Sequence, residues 1–498
     1  MPILIDLIFI IYTLALAIIT VYCLLQLQLL YKYKKYHRSL SALPFRQPFT
    51  EPAVWPFVTI QLPVFNEMYV VDRLVDNIMK LDYPKDRFEV HVLDDSTDET
   101  AGITRRKVAE YKAKGFHIEQ ILRCDRKGFK AGALKDAMPR VNGEFIAIFD
   151  ADFMPKSDFL KSTLTHFQDK KVGVVQTRWE HLNENYSLIT RLQALQLNAH
   201  FRVEQQGRQA GNYLLQFNGT AGVWRRTAID DAGGWEADTL TEDLDLSIRA
   251  QLKGWEIVFL EEVGSPAELP SEMNGLKSQQ FRWMKGGAET ARKMLPTVWH
   301  SHLSLAQKIH ATLQLGASTV FVFVFIMGVF SVPLLLFWTK TQLGTAIFQY
   351  GFLGMLALIG VHYTANVQAP GKEGGRFLHR FVKFILLFPL FLALSMGLSL
   401  HNSIAVLQGW LGKKSAFIRT PKFNIQGLSG TFHSRNYLAT KINWTTLFEG
   451  LLALYFLLAA GMGLYTENFG FLPLHLILAL GYGAIFFYTL QHLSVSEQ

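Results

Sequence analysis

The chain has 498 residues, half of them hydrophobic, with 38 phenylalanines and a positive mean hydropathy. That composition excludes a string of ordinary soluble domains. The formal charge of +8 is unevenly placed, and no RNA-binding signature or sustained basic helix accompanies it, which argues against a nucleic-acid partner.

The first expected element is the apolar run from Ile3 to Leu30. It is too long for a secretory signal, lacks a basic n-region, and exceeds the ~20 residues that cross a bilayer. Lys32, Lys34, Lys35, His37 and Arg38 follow at once. The positive-inside rule then places the N-terminus outside and the following chain in the cytosol. Residues 1–31 therefore read as a transmembrane helix and 32–54 as a basic cytosolic linker. Cys23 and Cys124 have no disulfide or zinc spacing, which suits a reducing compartment.

Residues 55–300 have the alternation of short apolar runs and helix-period stretches that marks an α/β domain. Strands are expected at 57–62, 89–93, 118–122, 145–149, 172–176 and 256–260. Helices are expected at 67–81, 98–114, 156–167, 188–207 and 244–252. Several strands run into polar residues at their carboxyl ends, where open α/β sheets bind ligands.

Residues 301–498 are membrane-like again, with spans expected near 311–338, 347–368, 446–466 and 471–492. The stretch 381–410 is interrupted by Pro389, His401, Asn402 and Gln408. Segment 411–441 is basic and has no acidic residue, so it should be cytosolic. That parity favours five spans with 376–410 interfacial or re-entrant; a sixth full span is the alternative.

Four constellations carry chemistry. Asp150-Ala151-Asp152 sets two carboxylates on one face of a strand end, a hard-oxygen pair suited to Mg²⁺ or Mn²⁺ carrying a diphosphate. Asp94-Asp95-Ser96 ends another strand; Asp98 reads as a helix cap, leaving Asp95 to face a nucleotide. Thr241-Glu242-Asp243 opens a helix, where acidic residues either complement the dipole or supply a general base. Gln279-Gln280-Phe281-Arg282-Trp283 offers a guanidinium for phosphate and a ring face for a sugar, or else an interfacial anchor. Lys130, in a Gly-containing turn entering a helix, either meets an anion there or belongs to a solvated basic loop. The small polar run Phe217-Asn218-Gly219-Thr220-Ala221-Gly222 would admit a saccharide closely. His181, His200 and His310 stand apart and read as ordinary packing or surface residues.

This ordered set, with the strings LDDSTD, KAGAL, AIFDADF, FNGTAGVWR and KGWE, resembles the membrane β-glycosyltransferases of family 2 over residues 55–445. Within them it is most similar to the plant cellulose-synthase-like A and C branch. The resemblance implies a glycosyltransferase-A domain, a Rossmann-like mixed α/β sheet, joined to an α-helical transmembrane region. It implies that Asp95, Lys130, Asp150, Gln279 and Arg282 meet the nucleotide and its diphosphate. Asp150 and Asp152 would hold the metal, and Asp243 would be the general base of an inverting transfer. Trp283, Glu242 and the loop Phe217, Asn218, Gly219 and Thr220 would face the acceptor.

Phe417-Ile418-Arg419-Thr420-Pro421-Lys422 resembles the family's gating loop, Phe-x-Val-Thr-x-Lys, with Phe417, Thr420 and Lys422 matching. Arg419 in place of Val and the stiff Pro421 depart from that pattern. The implied partners are a nucleotide-sugar donor, UDP-glucose or GDP-mannose, a polysaccharide acceptor and membrane lipid; an accessory export or co-polymerase subunit is compatible. The expected setting is a plasma, inner or Golgi membrane with the catalytic domain in the cytosol. The rival within the class is a non-processive lipid transferase similar to ceramide glucosyltransferase. The rival from another class is an inactive membrane scaffold, which predicts degenerate acidic positions; none is degenerate here.

Overall fold

The structure, a computed structural model, describes residues 2–42, 54–337, 344–368, 377–428, 437–438 and 442–493. Residues 43–53 of the basic linker, most of the expected outer loop 338–346, and Arg435 and Lys441 of the basic segment lie outside the described residues.

Between residues 55 and 300 the apolar runs assemble into a seven-stranded mixed sheet. Its strands are β1 (Val58–Val64), β2 (Phe88–Asp94), β3 (Ile118–Leu122), β4 (Phe145–Ile148), β5 (Val172–His181), β6 (Gly222–Arg225) and β7 (Glu256–Ala267). Their order is β3-β2-β1-β4-β6-β5-β7. Strands β1 to β4 pair in parallel, β6 runs antiparallel to both β4 and β5, and β5 and β7 are parallel. Helices cover both faces, so β1 is buried along almost its whole length, Thr59 and Gln61 included. On one face Val71, Leu74 and Ile78 pack on β1 and β2, with Phe159 and Leu164 beside them. On the other, Ala133, Leu134, Leu246 and Trp235 pack on Ile146, Ile148 and Trp224.

Six of the seven strands sit where the hydrophobic pattern puts them. The sequence does not announce β6, because four residues beginning with glycine are too short to show a period. The expected helix 188–207 is interrupted: Leu188–Asn198 continues through a π turn, Ala199–Gln205, into Gln206–Ala210.

Five described helices are long and apolar enough to cross a membrane: Ile3–Ser39, Ala317–Phe337, Phe377–Gly397, Trp444–Tyr465 and Leu472–Gln491. The span expected over 311–338 is shorter, since Leu305–Leu315 is a separate helix ending at Gly316. The segment 376–410 divides near Leu398. Its first part, Phe377–Gly397, packs along Leu472–Gln491, and its second, Ser399–Trp410, packs on the long helix Met273–His300. The first crossing depends on glycine: a Cβ on Gly481 would collide with the Ala393 carbonyl, and one on Gly397 with the Gly481 backbone.

Two polar contacts tie these helices to the sheet domain and to the helix that follows it. The first helix, Pro2–Ala42, donates from Tyr33 Oη to Glu261 Oε1 on β7 at 3.2 Å, and His37 Nε2 lies 2.9 Å from Glu261 Oε2. Lys277 Nζ of helix Met273–His300 donates to Glu449 Oε2 of helix Trp444–Tyr465 at 2.7 Å. Both side chains of that pair are buried. Removing one partner strands a buried charge, so Glu449→Ala should cost about 3 kcal/mol. The check is the thermal unfolding midpoint in detergent, which falls in Glu449→Ala and recovers largely in Lys277→Met/Glu449→Leu. An unchanged midpoint in the single variant would show that the pair does not join the two regions.

Candidate active site

The parallel arrangement of β1, β2 and β4 brings their carboxyl ends to one edge, and a cavity of about 210 Å³ opens there. It gathers Asp95, Lys130, Asp150, Asp152, Glu242 and Asp243 with Gln279, Arg282 and Trp283. Phe417, Thr420 and Lys422 line it from the far end of the chain.

Four acidic groups on this edge, Glu67, Asp95, Asp150 and Asp152, each meet a cation. Lys130 Nζ donates to Asp150 Oδ1 at 2.6 Å and to the Gly219 carbonyl at 2.8 Å. Lys422 Nζ donates to Asp152 Oδ2 at 2.8 Å and to the Glu268 carbonyl. Arg123 makes a two-pronged contact with Asp95, with Nε 2.9 Å from Oδ1. Arg419 Nη1 lies 2.8 Å from Glu67 Oε2. Burial raises Glu67 to about 7 even though Arg419 opposes the rise.

The gating-like segment is held down over the cavity. Arg282 Nη2 donates to Thr420 Oγ1 at 2.9 Å, and the guanidinium lies 4.7 Å from the centre of the Phe417 ring. Phe417 stacks on Phe129 with centroids 5.3 Å apart. Arg419, the departure from the family pattern, thus supplies the ion pair to Glu67 and lies over the Tyr437 ring at 4.2 Å.

Helix Glu242–Leu252 presents its first two residues to the cavity. Burial pushes the Asp243 carboxyl up to about 7; the neighbouring Glu242 adds to the rise and Lys130 opposes it. Glu242 is also raised, by burial first, with Lys130 opposing. Lys130 itself is raised, because Asp150, Glu242 and Asp243 outweigh the effect of burial. Gly219, at φ +78°, passes so close that a Cβ there would lie 3.0 Å from Asp243 Oδ2.

Three expectations are corrected. Phe217 does not face an acceptor: its ring is fully buried, edge-on to Trp224 at 5.6 Å, and anchors the loop from inside. Thr220 is also buried, and its Oγ1 accepts from the Asp150 N–H at 2.8 Å, so it shapes the Asp150 turn from behind. Asp150 and Asp152 lie beyond the end of β4 in a turn, where Phe153 N–H donates to the Asp150 carbonyl at 3.0 Å. The turn, not strand alternation, aims both carboxylates into the cavity. Asp98 stands one residue before the N-cap Glu99 and accepts from the Thr100 N–H at 2.9 Å, which ties down the helix start without a side-chain cap at Glu99 itself.

Sequence reasoning missed Glu67, Arg123, Arg126 and Glu268. Glu67, Arg123 and Glu268 follow the carboxyl ends of β1, β3 and β7, so the rule that found Asp95 could have found them. Arg126 lies against the Phe65 ring, a contact without a local signal. Among the described residues, three carboxylates at metal-ligand spacing occur at Glu236, Asp238 and Asp245. Lys293 occupies that cluster, 2.6, 2.9 and 3.1 Å from the three. The pair Asp150 and Asp152 instead opens onto the cavity, and each carboxylate already holds an ammonium group. Their hard oxygens fit Mg²⁺ or Mn²⁺.

Residues 56–286 match the family described as "Glycosyltransferase like family 2". The chain is similar to glucomannan 4-beta-mannosyltransferase 1 of Oryza sativa subsp. japonica, 42% identical over 276 residues, 54% of this chain and 53% of that protein. It is also similar to probable glucomannan 4-beta-mannosyltransferase 4 of the same plant, 41% identical over 266 residues, 52% of this chain and 48% of that protein. The chain spans about half the length of these curated relatives. Its fold is similar to that of a mannosyltransferase from Pyrobaculum calidifontis solved in complex with GDP-Man and Mn²⁺. That likeness has a TM-score of 0.50 and 18% identity, covering 81% of this chain and 100% of the other.

The raised Asp243 carboxyl has a consequence for stability. Between its ordinary value of 3.8 and about 7, the folded state holds a proton that the unfolded chain has released. The stability contributed by this group therefore falls as pH rises through that window. Asp243→Asn should raise the thermal midpoint of the ligand-free protein at pH 8, with a smaller gain at pH 5. A difference independent of pH would show that burial does not govern this carboxyl.

Proposed function

Residues 56–286 are a domain of glycosyltransferase-like family 2, and on that premise we propose that the protein is an inverting, metal-dependent β-glycosyltransferase. It transfers hexose from a nucleotide sugar to a growing β-1,4-linked mannan, glucomannan or glucan. The observation that carries this reading is the pair Glu242–Asp243 facing the Lys130–Asp150 pair across one cavity. A raised carboxyl beside a cationic pocket is the combination that proton removal and diphosphate departure require.

Asp243 takes the proton of the acceptor hydroxyl as that oxygen bonds to the anomeric carbon. The bond from that carbon to the diphosphate breaks, its electron pair leaves with the nucleoside diphosphate, and the configuration inverts. Lys130, Arg282 and Lys422 place positive charge where the diphosphate departs. Asp95, braced by Arg123, is suited to the nucleotide. Asp150 and Asp152 would hold Mg²⁺ or Mn²⁺, which neutralises charge on the diphosphate when bound. Gln279 lines the donor side, and Trp283 offers its face to the terminal acceptor sugar. The rice relatives named for mannosyl transfer favour GDP-mannose over UDP-glucose.

The loop Phe417–Lys422 lying over the cavity supports a processive enzyme, and the apolar helices packed beside helix Met273–His300 support passage of the product through the membrane. The basic residues after the first span support a catalytic domain facing the cytosol.

Purified protein incubated with labelled GDP-mannose or UDP-glucose, and then linkage-specific glycanases, tests the reading. Polymer is expected, dependent on added Mg²⁺ or Mn²⁺ and lost with chelator. A single-sugar lipid as the only product would establish the lipid-transferase alternative. Asp243→Asn should lower turnover by about a hundredfold or more while nucleotide binding persists; unchanged turnover would remove Asp243 from the mechanism.

A further inference from the structure

Asn218 is a cavity-lining residue whose hydrogen bonds are strongly asymmetric. Its backbone N–H donates to Gln176 Oε1 at 2.8 Å, which fixes the main chain. Its side-chain oxygen has two partners: Gln216 Nε2 donates to Oδ1 at 2.8 Å, and His200 Nε2 lies 3.2 Å from the same atom. Gln216 is itself oriented, because Gln314 Nε2 approaches its Oε1 at 3.4 Å and turns its NH₂ group toward Asn218. That direction assigns the Asn218 amide with its oxygen facing Gln216 and His200, an arrangement in which the ring is the imidazolium, donating from Nε2 to Oδ1 and from Nδ1 to Glu204. The amide nitrogen Nδ2 is buried without a protein partner.

His200 is in turn clamped. Its Nδ1 lies 3.0 Å from Glu204 Oε2, and Arg208 Nη2 is 3.4 Å from that same oxygen. Burial would raise the Glu204 carboxyl, but His200 and Arg208 bring it down to about 2, so it stays ionised. Both His200 and Glu204 lie in the π turn Ala199–Gln205. Such turns re-aim side chains and recur at functional sites.

A buried amide N–H left unpaired is unfavourable, and a hydroxyl-bearing ligand in the cavity would relieve that cost. The neighbouring Gly219 lies against Asp243 Oδ2, which puts Asn218 on the side where the acceptor hydroxyl must sit. We propose that His200 and Glu204 are positioning residues that orient the Asn218 amide so that Nδ2 donates to a hydroxyl of the acceptor sugar. This rests on the glycosyltransferase reading above and adds a specificity element on its acceptor side.

Initial rates with the transferring nucleotide sugar and a matching soluble oligosaccharide, β-1,4-mannohexaose or cellohexaose, test it. Asn218→Ala and His200→Ala should each raise the acceptor KM about tenfold, the effect of one lost hydrogen bond, and leave the donor KM unchanged. The double variant should be no worse than Asn218→Ala alone, because His200 acts through that residue. His200→Gln, whose amide can still donate to Oδ1, should recover most of the loss. An unchanged acceptor KM in His200→Ala overturns the proposal, as do multiplied losses in the double variant or an equal rise in donor KM. Should His200→Ala not fold, His200→Gln and Glu204→Gln decide: the first keeps the acceptor KM low and the second raises it, and the reverse pattern overturns it. Absence of transfer by the unaltered protein from every nucleotide sugar would instead sink the functional reading, and this inference with it.

Discussion

Charge matching at one sheet edge governs the rest of this molecule. Glu67, Asp95, Asp150, Asp152, Glu242, Asp243 and Glu268 all reach the same partly desolvated cavity. So many like charges cannot share low-dielectric space unless cations stand among them. Arg419, Arg123, Lys130, Lys422 and Arg73 meet that demand. Burial nevertheless dominates at Glu67, Glu242, Asp243 and Glu268 and raises all four carboxyls. A buried carboxyl raised to about 7 at Asp243 and carboxylates clasped by lysines at Asp150 and Asp152 are two outcomes of the same crowding.

Several of these cations come from far along the chain. Lys422 and Asp152 are 270 residues apart. Lifting the segment that holds Lys422 and Arg419 would strand Asp152, Glu268 and Glu67 together. A ligand that brings both anionic and cationic groups can rearrange those contacts without leaving bare carboxylates. The segment's position over the cavity and the cavity's appetite for a charged ligand are therefore one electrostatic problem.

Helix Met273–His300 transmits the position of the membrane helices to the cavity. It carries Arg282 and Trp283 to the site, Lys277 to Glu449 of an apolar helix, and Lys285 to Ser415 at 2.6 Å. A rigid helix of this length keeps those three contacts in fixed register. The first helix adds a second tie through Tyr33 and His37 to Glu261 on β7. The sheet edge is thus anchored to the apolar helices at two separate places.

Local spacing was enough to reveal the strands β1 to β5 and β7, the carboxylates beyond β2 and β4, and the acidic start of helix Glu242–Leu252. Each of these follows from hydrophobic period and from what lies at a strand's end, both of which are written within a dozen residues. The four-residue strand β6 carried no such period. Phe217 looked like an acceptor contact because its neighbours are small and polar, yet its ring fills the core against Trp224. His200 looked isolated because its partners, Glu204 and Asn218, declare themselves only when a π turn and a loop meet. Sequence alone therefore determined the fold class and the gathering of Asp95, Asp150, Asp152, Glu242 and Asp243 at the sheet edge. Tertiary structure alone decided which cation each paired carboxylate holds, which way the Asn218 amide points and which carboxyls burial raises. Those outcomes depend on contacts between segments distant along the chain, and no local periodicity records them.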